Sequence, residues 1–123
     1  MTATALEHAG LTSAGDDAAL CITALGPELT AYVAGAKTVA QLESWLAAVP
    51  GPSPQVRRRL SAAAELVTMF EVANRSALVA AWLREQDPAG FVPARALRFS
   101  DGDKTSVQGL LDAGEMWALT AAA

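Results

Sequence analysis

The chain has one cysteine, one histidine and one tyrosine among 123 residues, and aromatics make up 6% of it. A lone thiol excludes an intrachain disulfide and a cysteine-cluster metal site. Cys21, among Ala, Leu and Ile, reads as a small core hydrophobe. His8 alone can form neither a metal pair nor the base of a catalytic triad, so a surface position is expected for it. Cations are scarce, 9 Lys and Arg against 13 Asp and Glu, and a net charge of −4 excludes a generic nucleic-acid binder, whose affinity comes mostly from phosphate neutralisation. No stretch approaches the ~18 apolar residues of a membrane span, and no basic amino-terminal segment precedes an apolar run. A cytoplasmic protein without membrane contact is expected.

Catalytic signatures are missing as well: there is no G-x-S-x-G elbow, phosphate loop, H-E-x-x-H or Cys/His ligand set. The carboxylate pairs Asp16-Asp17 and Asp101/Asp103 fall where helix N-caps are expected and where negative charge suits the helix dipole, which favours capping over acid–base chemistry. The chain therefore reads as no enzyme, with no catalytic residue, metal or cofactor.

What is present is alanine. Hydrophobic residues make up 52% of the chain, and the excess is Ala, the strongest helix former and a poor strand former, so an all-α fold is expected. A chain of this length supports one core, or two small cores sharing an interface. Residues 1–15 show no sustained period and suit a flexible N-terminus. Asp16 can cap a helix through about Leu25, and Gly26-Pro27 stops it and starts a short helix ending near Gly35. Thr38-x-x-Gln41 has the form of a capping box opening a third helix, with Val39, Leu42, Trp45, Leu46 and Val49 on one face. Ser53-Pro54 then starts the longest helix, running to about Ala73 and burying Val56, Leu60, Ala63, Val67 and Phe70. Further helices are expected from Asn74 or Ser76 to about Arg84, from Pro93 through Leu97 and Phe99, and from Asp101 or Asp103 to a stop at Gly114. Core packing is the favoured reading for Trp45, Trp82, Met69, Phe70, Phe91 and Phe99. Trp117, beyond that stop, either folds back on the domain or anchors a partner.

Two short helices and a glycine-containing turn make a helix-turn-helix pattern. In such a unit Lys37, Thr38, Gln41 and Ser44 are the candidate DNA contacts: Gln can bond adenine twice and Lys can meet a phosphate, although Glu43 repels the backbone. Arg57, Arg58 and Arg59 join them. From Lys37 to Leu60 four basic residues face one acidic residue, so this segment is +3 within a chain of −4. Three successive helical residues cannot share a face, and the triplet reads as a solvated surface, as phosphate contacts or as a complement to an acidic partner.

This order resembles antitoxins of the Xre/MbcA/ParS type. The matching residues are Leu29-Thr-Ala-Tyr-Val33 through Thr38-Val-Ala-Gln-Leu-Glu-Ser-Trp45, then Arg57-Arg58-Arg59-Leu60, then Ala81-Trp82-Leu83 with Gly90, Pro93, Leu97 and Gly102 to Leu110. The resemblance covers residues from about 25 to 112. It implies an Xre-like helix-turn-helix half (16–73) joined by a long helix to a small helical toxin-binding half (74–123). The partner it implies is a RES-domain toxin that consumes NAD, blocked by the antitoxin, with operator DNA as a second partner through autoregulation. A homodimer or higher hetero-oligomer is implied too. Carried over, the toxin-facing residues are Trp82, Arg84, Phe91, Arg95, Arg98 and Trp117. The chain departs from the pattern in lacking asparagine and leucine before the glycine that follows Trp82, and in a reading helix poor in cations. A stand-alone helix-turn-helix transcriptional regulator is the alternative, and a helical scaffold without either activity a third reading.

Overall fold

Every regular element in the computed structural model is helical, among the described residues 13–48, 51–86 and 90–120, of which the side chains of 13, 14, 104 and 120 are left aside. In chain order they are α1 (Ser13–Leu25), α2 (Pro27–Ala34), α3 (Val39–Ala47), α4 (Pro54–Val72), a 3-10 turn (Ser76–Leu78), α5 (Val79–Arg84), α6 (Pro93–Arg98) and α7 (Lys104–Thr120). The fold is all-α. Among the described residues no helix is long and apolar enough to cross a membrane. Val49 and His8 lie outside the described residues, as does the expected flexible N-terminus up to residue 12.

Local chemistry sets most of the boundaries. Gly26 precedes α2, Pro27 opens it, and the amides of Gly35 and Ala36 close it on the carbonyls of Tyr32 and Ala31. Thr38 caps α3 by accepting from the Gln41 amide at 3.0 Å. The reciprocal half of the expected box is shifted by one residue: Gln41 Oε1 accepts from the Lys37 amide at 2.7 Å, not from that of Thr38. Ser53 caps α4, accepting from the Val56 amide. Before α7 it is Asp103 that holds the cap position, with its carbonyl accepting from the Val107 amide and its carboxylate from the Ser106 hydroxyl. That bond holds the Asp103 carboxyl below its ordinary range.

Three boundaries differ from the sequence reading. Helix α1 starts at Ser13, which leaves Asp16 in its first turn rather than at the cap. The expected fifth helix is split, because Asn74 adopts a left-handed conformation (φ 65°) that ends α4 and a 3-10 turn intervenes before α5. The third concerns Gly114, which does not stop α7: the helix runs on through Thr120. A Cβ at Gly114 would lie 2.5 Å from Leu66 Cδ2 and 3.2 Å from the Trp82 ring, so the missing side chain allows α7 to press against α4 and α5.

Two apolar clusters organise the packing. The larger joins Cys21 and Leu25 of α1, Leu29 and Val33 of α2, Leu66, Val67 and Phe70 of α4, Trp82 and Leu83 of α5, Leu97 of α6 and Val107, Leu110 and Leu111 of α7. It spans both sides of residue 73. The smaller holds α3 through Leu42, with Val39, Trp45 and Leu46 at its edge, against Ala18, Ala31, Ala34, Val56 and Leu60. Cys21 is fully buried, and burial followed by repulsion from Asp17 pushes its thiol up to about 12. The small-hydrophobe reading of Cys21 is the one that the packing displays.

Candidate functional site

Phe70 meets two indoles. Trp82 meets it at 5.6 Å with the rings tilted by 43°, and Trp117 stacks on it at 5.6 Å and 24°. Trp82 is buried and Trp117 half-buried, so Trp117 folds back onto the domain. Above this stack lies a groove of about 380 Å3, lined by Trp82, Glu85, Phe91, Pro93, Ala113 and Trp117 among others. Three of the six expected toxin-facing residues thus come together in one concavity.

Val92, just before α6, has extended backbone, and extended backbone sends successive side chains to opposite sides. Phe91 accordingly lines the Trp82–Trp117 groove, while Val92 lines a second groove of about 320 Å3 with Glu28, Leu29, Tyr32, Arg84 and Ala94. Phe91 is 43% exposed, and Arg84 and Arg95 are exposed. Phe99, read from sequence as core, is 72% exposed. The reason is register: Leu97 faces the core, and two residues further on is about 200° round the helix.

Arg98, half-buried, is engaged within the chain. Its Nη1 donates to the Tyr32 carbonyl at 2.7 Å and the Ala36 carbonyl at 2.9 Å, and its guanidinium lies over the Tyr32 ring at 4.7 Å. Arg59 works beside it: Nη1 donates to the Ala34 carbonyl and Nε to the Ser100 carbonyl, at 3.2 and 2.9 Å. Together they supply donors for carbonyls at the carboxyl end of α2, where positive charge also complements the helix dipole. Arg58 donates through Nε to the Asp101 carbonyl at 3.1 Å. Burial and the nearby Arg98 lower the Arg59 pKa, while Asp101 partly offsets them. These contacts need Gly102, which sits at φ 80° with its α-carbon against the Arg58–Arg59 backbone; a Cβ there would lie 2.6 Å from the Arg59 nitrogen.

Arg58 and Arg59 of the triplet and Arg98, assigned from sequence to opposite halves, therefore converge on one junction. Nothing in the local sequence signals this, since Arg98 and Tyr32 are 66 positions apart. Of the residues expected to read DNA, Lys37, Thr38 and Ser44 are exposed, Gln41 and Arg57 half-buried. The Thr38 hydroxyl and Gln41 Oε1 are both engaged at the α3 cap, so a two-point bond from Gln41 to adenine would require Gln41 to leave it. Lys37, Ser44, Arg57 and the outer part of Arg58 are the candidate contacts whose outward reach costs no cap.

Comparison of the chain with known proteins finds no matching family model, curated protein or solved structure.

Proposed function

We propose that the chain is the antitoxin of a type II toxin-antitoxin pair, a non-enzymatic inhibitor that covers the NAD site of a RES-domain toxin with its carboxyl-terminal half. The observation that carries this reading is Phe91, a large apolar side chain 43% exposed at the lip of a groove walled by Trp82 and Trp117. An exposed aromatic beside a preformed apolar concavity is the kind of anchor that concentrates binding energy at an interface. The charged residue that lines this groove is Glu85, while Arg84 lines the neighbouring groove beside Val92 and Arg95 is exposed on α6. The resemblance to Xre/MbcA/ParS-type antitoxins in the order of Ala81-Trp82-Leu83, Gly90, Pro93 and Leu97 supports the same reading.

The test is co-expression with the product of the adjacent gene, followed by co-purification and an NAD-consumption assay with and without this chain. A stable complex that silences NAD loss is the expected result, and Phe91→Ala should release the activity. Absence of both complex and inhibition would sink the proposal and leave the transcriptional regulator as the reading to pursue. Autoregulation is proposed as a second activity of the same protein. Lys37 and Arg58 would meet operator phosphates, and Arg58→Glu should weaken promoter binding at every sequence tested.

A further inference from the structure

On the flank of α7 away from the Trp82–Trp117 groove lies another concavity, of about 300 Å3. Its walls are two helical stripes: Glu65, Thr68, Met69 and Val72 of α4, and Glu115, Ala118 and Leu119 of α7. Val72 is 83% exposed, Leu119 67% and the neighbouring Met116 65%. These are large apolar side chains gathered beside one groove, whereas solitary exposed apolar residues need no explanation. The stripe on α4 covers two turns, roughly 10 Å of helix.

The groove has a polarity. Gly114 meets Leu66 and Trp117 meets Phe70, so contacts advance together along α4 and α7, and the helices run the same way through the crossing. Glu65 and Glu115 each come first in their stripe. Both carboxylates therefore lie at one end of the groove, and Val72 and Leu119 lie at the other.

That arrangement selects the occupant. Residues 1–12 carry no lysine or arginine, and residues 121–123 are alanines, so neither segment complements the acidic end of the groove by a lysine or arginine. A second copy related by a two-fold axis would set carboxylate against carboxylate, or bury Glu65 and Glu115 against Val72 and Leu119, and both cost free energy. We infer that the α4–α7 groove is a docking site for a helix of a partner protein, apolar on one face and carrying lysine or arginine where it meets Glu65 and Glu115. Helix-in-groove recognition of this kind reads apolar anchors at threes and fours, while the charges fix direction and partner choice. The site is separate from the Phe91 groove and does not depend on what binds there.

The probes are two labelled 18-residue amphipathic helical peptides with the same leucine face, one edged with lysine and the other with glutamate. They are titrated against the full chain by fluorescence anisotropy. The lysine peptide should bind at least tenfold tighter than the glutamate peptide. Glu65→Lys with Glu115→Lys should reverse that preference, whereas Glu28→Lys with Glu43→Lys, which changes the net charge equally, should leave its order intact. Val72→Asp, at an exposed position, should weaken the lysine peptide at least tenfold with helical content unchanged by circular dichroism. The inference is overturned if the peptides bind alike, or if the control pair reverses the preference as well as the groove pair. It is equally overturned if sedimentation equilibrium shows a dimer that Val72→Asp dissociates, since the occupant would then be a second copy.

Discussion

Arg98 closes the carboxyl end of a helix 66 positions earlier in the chain, with its Nη1 2.7 Å from the Tyr32 carbonyl and its guanidinium over the Tyr32 ring. Because the same nitrogen also reaches the Ala36 carbonyl, one side chain of α6 fixes both the last turn of α2 and the turn that leads into α3. The two halves of the molecule are joined there by charge-assisted hydrogen bonds as well as by the apolar core.

Arg98→Gln should therefore lower stability by about 1–3 kcal/mol, the range for hydrogen bonds from a charged donor, reduced by partial exposure. Arg98→Lys should recover only part of it, because an ammonium lacks the delocalised guanidinium that lies over the Tyr32 ring. Urea denaturation of the three proteins decides the matter. A wild-type midpoint for the lysine variant would show that a positive charge alone, and not the guanidinium, closes α2.

Gly114→Ala separates a helix stop from a helix crossing. In an exposed helical position the change would stabilise by up to about 1 kcal/mol through propensity. Here the new methyl meets Leu66 and Trp82, and overpacking of about 1–3 kcal/mol should win, with a lower thermal midpoint. Gly102→Ala should cost more, about 2–4 kcal/mol, since its obstacle is backbone and its φ of 80° is itself unfavourable for alanine.

Phe91 and Trp117 line one groove but should behave differently. Trp117→Ala removes a ring stacked on Phe70 and should cost about 2–3 kcal/mol of stability, whether or not a partner exists. Phe91→Ala should change stability by no more than about 0.5 kcal/mol and, on the antitoxin reading, weaken the toxin complex by roughly tenfold or more. Denaturation and calorimetric titration of the same two variants give the comparison. A destabilised Phe91→Ala would return Phe91 to the core.

The Cys21 thiol, held at about 12 against an ordinary 9.0, makes stability depend on alkaline pH. Folded chains keep the thiol neutral while unfolded chains ionise it, so its contribution is complete below pH 9.0 and is lost as pH rises towards 12. The urea midpoint should fall above pH 9.0 more steeply for the wild type than for Cys21→Ala. At pH 8 the thiol should react with a disulfide reagent at the rate at which the core opens, not at the rate of a free thiol. Rapid labelling of the folded protein would contradict the burial.

Residues whose partners are near neighbours were the legible ones. Gly26-Pro27, Thr38 with Gln41, and Ser53-Pro54 place three helix starts because each cap acts within four positions, and Val56, Leu60, Ala63, Val67 and Phe70 declare a buried face by period alone. Gly114 misleads because glycine after an apolar run can mean an end or a close crossing, and only the tertiary neighbour Leu66 distinguishes them. Phe99 misleads because hydrophobicity without helical phase does not tell a core face from a solvent face. The junction of Arg58, Arg59, Arg98 and Gly102 was illegible, since a guanidinium bonded to a distant carbonyl leaves no sequence pattern. Of the candidate site, Trp82, Phe91 and Trp117 converge, while Arg98 turns inward to α2.

The Arg98 latch also orders events in time. A chain emerging from the ribosome presents Tyr32, Ala34 and Ala36 long before Arg98 exists, a delay of roughly 3–13 seconds at ordinary rates of synthesis. Through that interval the carboxyl end of α2 is closed by the amides of its own turn, and the nascent chain offers α1, α2 and α3 unfastened to whatever is near.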